Sequence, residues 1–319
     1  MARKKIITVG SDPEFLITDH SGNYIPADKF FNQCGDCNPC EKCGRKRCTG
    51  NRVLCGICKN CEDVCEDCDA CCGCESCRDQ DPEDCDFCYD CMDNGDCDLD
   101  GEIGCDGCSD VGELRPMFGE TPHEHHNNIA TLIDMIDVPK KYELHAGTRV
   151  DGFDLGGHIH LGFRGKKETY EYGESLQTAL YISKYAGMPL RKIEHPSDLA
   201  YRGLQQYGYG QFGSHSDRRY GIEWRMPASW LVSSDIALSA LCLAHMVILE
   251  YYVEPEIITL PTVESQKKTL GSSTFASRYI ARLEKMKYYP NYKEELEPLF
   301  QMLTNGEEWD TETDIREMW

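Results

Sequence analysis

The chain lacks an excess of basic charge, an apolar run long enough for a bilayer and, outside one window, almost any cysteine. Lys and Arg number 33 against 55 Asp and Glu, for a net charge of −22. Non-specific binding to nucleic acid or to an anionic membrane surface needs a basic patch, so the balance argues against both partners. The longest apolar stretch, Ile236 to Leu249, contains His245. It falls short of the roughly 20 residues of a membrane span and is expected to be a buried helix. The opening Met-Ala-Arg-Lys-Lys-Ile-Ile-Thr-Val-Gly is basic, but its apolar run is too short for a signal peptide, and a cytoplasmic location is expected. Smaller absences narrow the chemistry. Gly162 to Lys167 has glycines and lysines without the Ser or Thr that a Walker A loop requires. His123-Glu124-His125-His126 lacks HExxH spacing and reads as a solvent-exposed helix start, with zinc as the less favoured alternative. No CxxCH occurs, which argues against covalent haem.

What is present is one pattern in four places: two ionisable side chains two residues apart, with apolar residues on the other parity. The segments are Asp12-Pro13-Glu14, Glu113-Leu114-Arg115, His158-Ile159-His160 and Glu223-Trp224-Arg225. In a strand, alternate side chains share a face, so each pair faces one way. Val9, Phe15, Ile17, Leu114, Ile159, Leu161, Ile222 and Trp224 then face a core. Carboxylates with histidine suit Mg²⁺ or Mn²⁺ held against substrate phosphates, and arginines suit a phosphoryl group in transit. The plain alternative is a set of ion pairs on a solvated sheet face, but four such segments together make inward-facing His and Glu costly unless they are used.

Along the chain, strands are expected over 5–18 and towards Ala27, over 111–117, from Tyr142 to Arg149, and at the His-Ile-His and Glu-Trp-Arg segments. A helix is expected from His123 to Met135 with an inner face of Ile129, Leu132, Ile133 and Ile136. Another is expected over 172–187 through Leu176, Leu180 and Ile182. A Gly-, Tyr-, Gln- and Ser-rich loop spans 203–221, and two long helices, about 232–252 and 274–304, complete the chain. At 319 residues one large α+β unit can hold all of this.

Of 21 cysteines, all but Cys242 lie between Cys34 and Cys108. That window is strongly acidic and poor in large apolar residues, so a hydrophobic core cannot organise it. CxxC spacing recurs across it: Cys34, Cys37, Cys40 and Cys43; Cys55, Cys58 and Cys61; Cys65, Cys68 and Cys71; Cys74 and Cys77; Cys85, Cys88 and Cys91; Cys105 and Cys108. Two thiolates on a tight turn chelate one tetrahedral ion, so Zn²⁺ is the expected occupant; iron–sulfur clusters and disulfides are the alternatives. The block is treated as an insertion, 34–108, into a single domain made of 1–33 and 109–319.

The strings SDPEF, GELRP, HHNNI, GGHIHLGF and YGIEWRMPASWL, in this order, resemble the phage-type carboxylate–amine (COOH–NH2) ligases, or amidoligases, distant relatives of glutamine synthetase and glutamate–cysteine ligase. The resemblance covers 5–20 and 109–255 and leaves out the cysteine block. It implies an α+β fold with a curved, mainly antiparallel sheet, helices on the outer face, and a concave face that binds ATP through Mg²⁺ or Mn²⁺. Such an enzyme phosphorylates a carboxylate and lets an amine displace the phosphate; partners would be small-molecule, peptide or protein carboxylates and amines. Carried over by motif, Glu14, Glu113, His158 and Glu223 are metal ligands, with His160 a further candidate. Arg115 and Arg225 contact phosphate or acyl phosphate, and Arg218 or Arg219 the nucleotide. The competing readings are a zinc hydrolase built on His158 and His160, and an inactive interaction protein.

Overall fold

The computed structural model describes residues 6–31, 101–105, 110–150, 152–164, 172–194, 210–218 and 221–319. Its centre is an antiparallel sheet built on β1 (Ile6–Asp19), which pairs with β8 (Gly157–Arg164) on one side and β4 (Gly112–Pro116) on the other. From edge to edge the order is β3-β4-β1-β8-β10-β9, where β3 is Gly101–Cys105, β9 His215–Arg218 and β10 Gly221–Trp224. The far end of β1 also pairs with β2 (Tyr24–Ile25) and β5 (Tyr142–His145). A small hairpin, β6 (Arg149–Val150) and β7 (Phe153–Asp154), stands apart.

Proline inside a central strand normally costs a ladder hydrogen bond. Glu14 N donates to the Gly156 carbonyl on the β8 side at 2.8 Å, so the nitrogen of Pro13 faces the β4 side. Pairing with β4 begins only at Glu14, and the nearest earlier contact on that side is the Val9–Gly119 bridge. The missing donor falls in the gap.

One face of the sheet carries Val9, Phe15, Ile17, Leu114, Ile159, Leu161, Ile222 and Trp224, all fully buried. Each buried side chain of this size stabilises by about 1.5–3 kcal/mol. The helices α1 (Pro122–Asp134), α2 (Tyr172–Ile182) and α4 (Ser234–Tyr251) supply the rest of that core, α1 through Ile129, Leu132 and Ile133 as its spacing predicts. Thr121 caps α1 by accepting from Glu124 N, and Pro122 at the first helical position needs no donor there. Helix α4 begins at a Ser233 cap and is buried along most of its length.

The fold corrects several expectations. The His123–His126 segment does start a helix, yet His125 is wholly buried, not exposed. Its Nδ1 donates to the Met117 carbonyl and its Nε2 accepts from Ser11 Oγ, both at 2.7 Å, pinning α1 to β1. The helix over 172–187 passes through a π turn, Ser183–Gly187, into α3 (Met188–Ile193), with Leu180 and Ile182 buried but Leu176 at the surface. Within the expected 203–221 loop, residues 215–218 form β9.

The long helix expected over 274–304 is two, α6 (Phe275–Leu283) and α7 (Glu297–Asn305), with a 3₁₀ turn at Tyr289–Asn291 between them. Pro290 has no N–H to continue a helix. A short helix, α5 (Val263–Leu270), precedes them. Strand β3 lies inside the window assigned to the cysteine insertion and is a full edge partner of β4.

Candidate active face

The opposite face of the sheet gathers the charged pairs. Cross-strand register sets Asp12 beside His158, Glu14 beside Glu113 and Glu223 beside His160. Glu14, Glu113, His158 and Glu223 are each at most 5% exposed, a placement that carboxylates and imidazoles hold only when paired.

Asp12 is the hub. Its Oδ1 lies 3.3 Å from both His158 Nδ1 and His160 Nε2, and His158 Nδ1 is 3.5 Å from Glu223 Oε1. One ligand atom from each of Asp12, His160 and Glu223 falls within 4.8 Å of the others. Adjacent ligands of an octahedral ion with bonds of about 2.1 Å stand about 3 Å apart, close to the 3.3 Å between Asp12 Oδ1 and His160 Nε2. The mixed oxygen and nitrogen donor set suits Mg²⁺ and more closely Mn²⁺. Asp12 was absent from the ligand set expected from sequence, although the parity argument had already placed it on this face.

The electrostatics favour a charged carboxylate beside a charged imidazole. Burial pushes the Asp12 carboxyl up, but the charges of His160 and His158 outweigh it and hold the group far below the usual carboxylate range. Burial works against a charged His158, yet Asp12, Glu14 and Glu223 together raise it above its ordinary value of 6.5.

Beside this cluster, Glu14 Oε2 accepts from Gly156 N, and the backbone of Glu14 accepts from Ser229 Oγ, both at 2.5 Å. Gly157 is required next to it: a Cβ there would lie 2.3 Å from the Ala228 carbonyl oxygen. Glu113 opposite Glu14 sets two buried carboxylates side by side, an unfavourable pairing without a cation. Arg115 supplies one by ion-pairing with Glu113, and it also donates to the Cys105 carbonyl at 3.0 Å. Arg115, expected to contact phosphate, is therefore engaged in holding Glu113 and strand β3.

The other arginines converge on Glu223. Arg218 approaches Oε2 with Nη2 at 2.6 Å, and Arg225 Nε lies 3.0 Å from Oε1. The Arg225 side chain is 42% exposed. Arg219 lies outside the described residues, as do all the cysteines expected to bind metal except Cys105. That residue is buried in the core, its Sγ directed to the Phe31 carbonyl at 3.5 Å, a setting unlike that of a zinc ligand on a tight turn.

Among solved structures the chain is similar to three with little sequence in common. One is described as a novel glutamine synthase homolog, at 12% identity and TM-score 0.39, covering 94% of this chain and 66% of that one. The second is a GmaS/ADP complex, at 14% and 0.37, covering 91% and 70%. The third is GmaS without ligand, at 11% and 0.38, covering 92% and 70%. At those scores nothing further rests on them. Curated proteins give no match. The profile of one family, described as phage phiEco32-like COOH–NH2 ligase type 2, matches residues 95–319, which include every strand and helix from β3 onward. With its four charged strand segments meeting on one face, the chain belongs to that family of carboxylate–amine ligases.

Proposed function

We propose that the protein joins a carboxylate to an amine at the expense of ATP, through an acyl phosphate. The observation that carries this reading is the convergence of Asp12, His160 and Glu223 ligand atoms within 4.8 Å, next to buried Glu14 and Glu113. Asp12, His158, His160 and Glu223 would hold one divalent ion, and Glu14 with Glu113 would face a second or the substrate. A bound Mg²⁺ or Mn²⁺ would neutralise charge on the nucleotide phosphates.

The chain's own residues then have defined tasks. Arg225 presents N–H groups where a phosphoryl group in transit gathers charge, while Glu223 fixes its orientation. Arg218 braces the same carboxylate from the other side. The carboxylate substrate attacks phosphorus and releases ADP; the amine attacks the acyl carbon, and phosphate leaves with the C–O bond. A zinc hydrolase remains the second reading of the same histidines, since His158 and His160 both reach Asp12. ATP dependence separates the two.

The test is calorimetric titration of Mg-ATP into the metal-replete protein and its Glu223→Gln variant, with ATP turnover measured on a panel of carboxylates and amines. Saturable binding and turnover, both falling at least about hundredfold in the variant, are expected. Binding that is absent from the wild type, or equal in both proteins, sinks the assignment.

For the cysteines of that window other than Cys105 we infer bound Zn²⁺, on the strength of the repeated CxxC spacing. Metal analysis after purification without added zinc is expected to find several zinc ions per chain; iron with visible absorbance, or no metal and oxidised thiols, would overturn it.

A further inference from the structure

In the helix layer on the core side of the sheet, a cavity of about 770 Å³ opens between the π turn Ser183–Gly187 and the segment from Glu256 to Arg282. We propose that this groove docks an acidic peptide segment bearing apolar side chains, held by the basic rim of α5 and α6 and by the buried amide of Gln266. The proposal is independent of the chemistry on the sheet face.

Three observations converge on it. The first is charge. Among the described residues, Lys184, Lys268, Arg278 and Arg282 line the groove against one carboxylate, Glu256, in a chain of net charge −22. Glu256 is committed to Lys184 Nζ at 2.7 Å and to the Tyr185 hydroxyl at 2.6 Å. Lys268, Arg278 and Arg282 are exposed, and the two arginines stand one helical turn apart on α6.

The second is a buried acceptor. Gln266 is 4% exposed, and its Nε2 donates to the Pro261 carbonyl at 3.2 Å, which fixes the amide's orientation. Among the described residues its Oε1 has no hydrogen-bond partner, although Gln266 lines the groove. A buried acceptor is costly to leave unmet, and a ligand N–H would satisfy it.

The third is apolar surface. Ile257 on the groove wall is 86% exposed, with Leu260 close by at 61% and Phe275 buried beneath. Several carboxylates, a backbone N–H and an apolar side chain occur together in an acidic peptide; inorganic phosphate or a simple polycarboxylate lacks the last two. The groove is also anchored to the active strands. Ser183, next to Lys184, accepts from Trp224 Nε1 and Gly213 N, both at 3.0 Å.

The experiment is fluorescence anisotropy on the full chain with a labelled dodecapeptide alternating glutamate with leucine and phenylalanine. Comparison probes replace every glutamate by lysine, or every apolar residue by serine; citrate and oligothymidine serve as competitors. Saturable binding of the first peptide is expected, since a protein this acidic repels polyanions elsewhere. The Lys268→Glu/Arg278→Glu double variant is expected to weaken it at least about tenfold, and Gln266→Met several-fold, with Mg-ATP binding unchanged. The lysine and serine peptides should bind more weakly by similar factors. No saturable binding, an unaffected double variant, or full displacement by equimolar citrate or oligothymidine would overturn the proposal.

Discussion

The two faces of the sheet use the same residue type to opposite ends. On the core face, His125 and His245 are buried among apolar side chains and bonded to neutral partners: Ser11 and the Met117 carbonyl for one, Tyr292 and the Ile7 carbonyl for the other. Burial pushes their pKa values down, to about 3 and about 4, so both are neutral struts. On the other face, His158 is as deeply placed, yet carboxylates on two neighbouring strands raise it. Burial alone does not mark a functional histidine. The charge of its neighbours does, and strand parity decides which neighbours it gets.

The sharpest way to break this comparison is to change adjacent residues of β10. Trp224→Ala empties the core face and is expected to cost about 3–5 kcal/mol in denaturant unfolding. Glu223→Gln, one residue away, should leave the unfolding midpoint nearly unmoved while abolishing ATP turnover. Comparable destabilisation by both would mean that the charged face is structural.

A smaller loss is expected from His125→Leu, about 1–3 kcal/mol, because Ser11 loses its partner inside the core. The sign of its pH dependence is a finer probe. A histidine held neutral contributes stability above pH 6.5, and that contribution fades as pH falls below 6.5, where only the unfolded chain takes up the proton. The wild type should therefore lose stability on acidification through that range more steeply than His125→Leu.

His158 runs the other way. Its raised value means that its contribution in metal-free protein is complete below pH 6.5 and fades as pH climbs through the folded-state value. A divalent ion must displace that proton. Mn²⁺ affinity by calorimetry is expected to rise by up to about tenfold per pH unit through this window and then level off. An affinity flat from pH 6 to 9 would remove His158 from the ligand set.

Much of the charged face was legible because period-two alternation survives in short strands without any knowledge of their neighbours. Glu14, Glu113, His158, His160 and Glu223 all lie where parity put them. Asp12 was visible on the same parity but entered the ligand set only through register, since its two imidazole neighbours come from a strand far along the chain.

Arg115 shows the converse. Its face was legible, but its engagement with Glu113 and Cys105 depends on β3, which was hidden inside a cysteine window. The break at Pro290 could have been read from sequence. The π turn could not, because nothing local distinguishes Ser183–Gly187 from a helix. The groove beside it was out of reach altogether, setting Lys184, Tyr185, Met188 and Phe212 against a segment that begins more than seventy positions after Lys184.

The hydrogen bond between Cys105 and Phe31 carries a consequence for how such a chain can be edited. Phe31, the last described residue before the cysteine window, is clasped to Cys105 at the far end of β3, and Ala27 N donates to the Asp110 carbonyl alongside at 3.2 Å. From Cys105 back to the start of β3 at Gly101 is about 13 Å of extended strand, so a short loop from Phe31 would reach Gly101, and the entropy of loop closure grows slowly with length. The rim is thus a socket: residues 32–100 are expected to tolerate shortening or exchange for another domain while the unfolding midpoint of the sheet stays put.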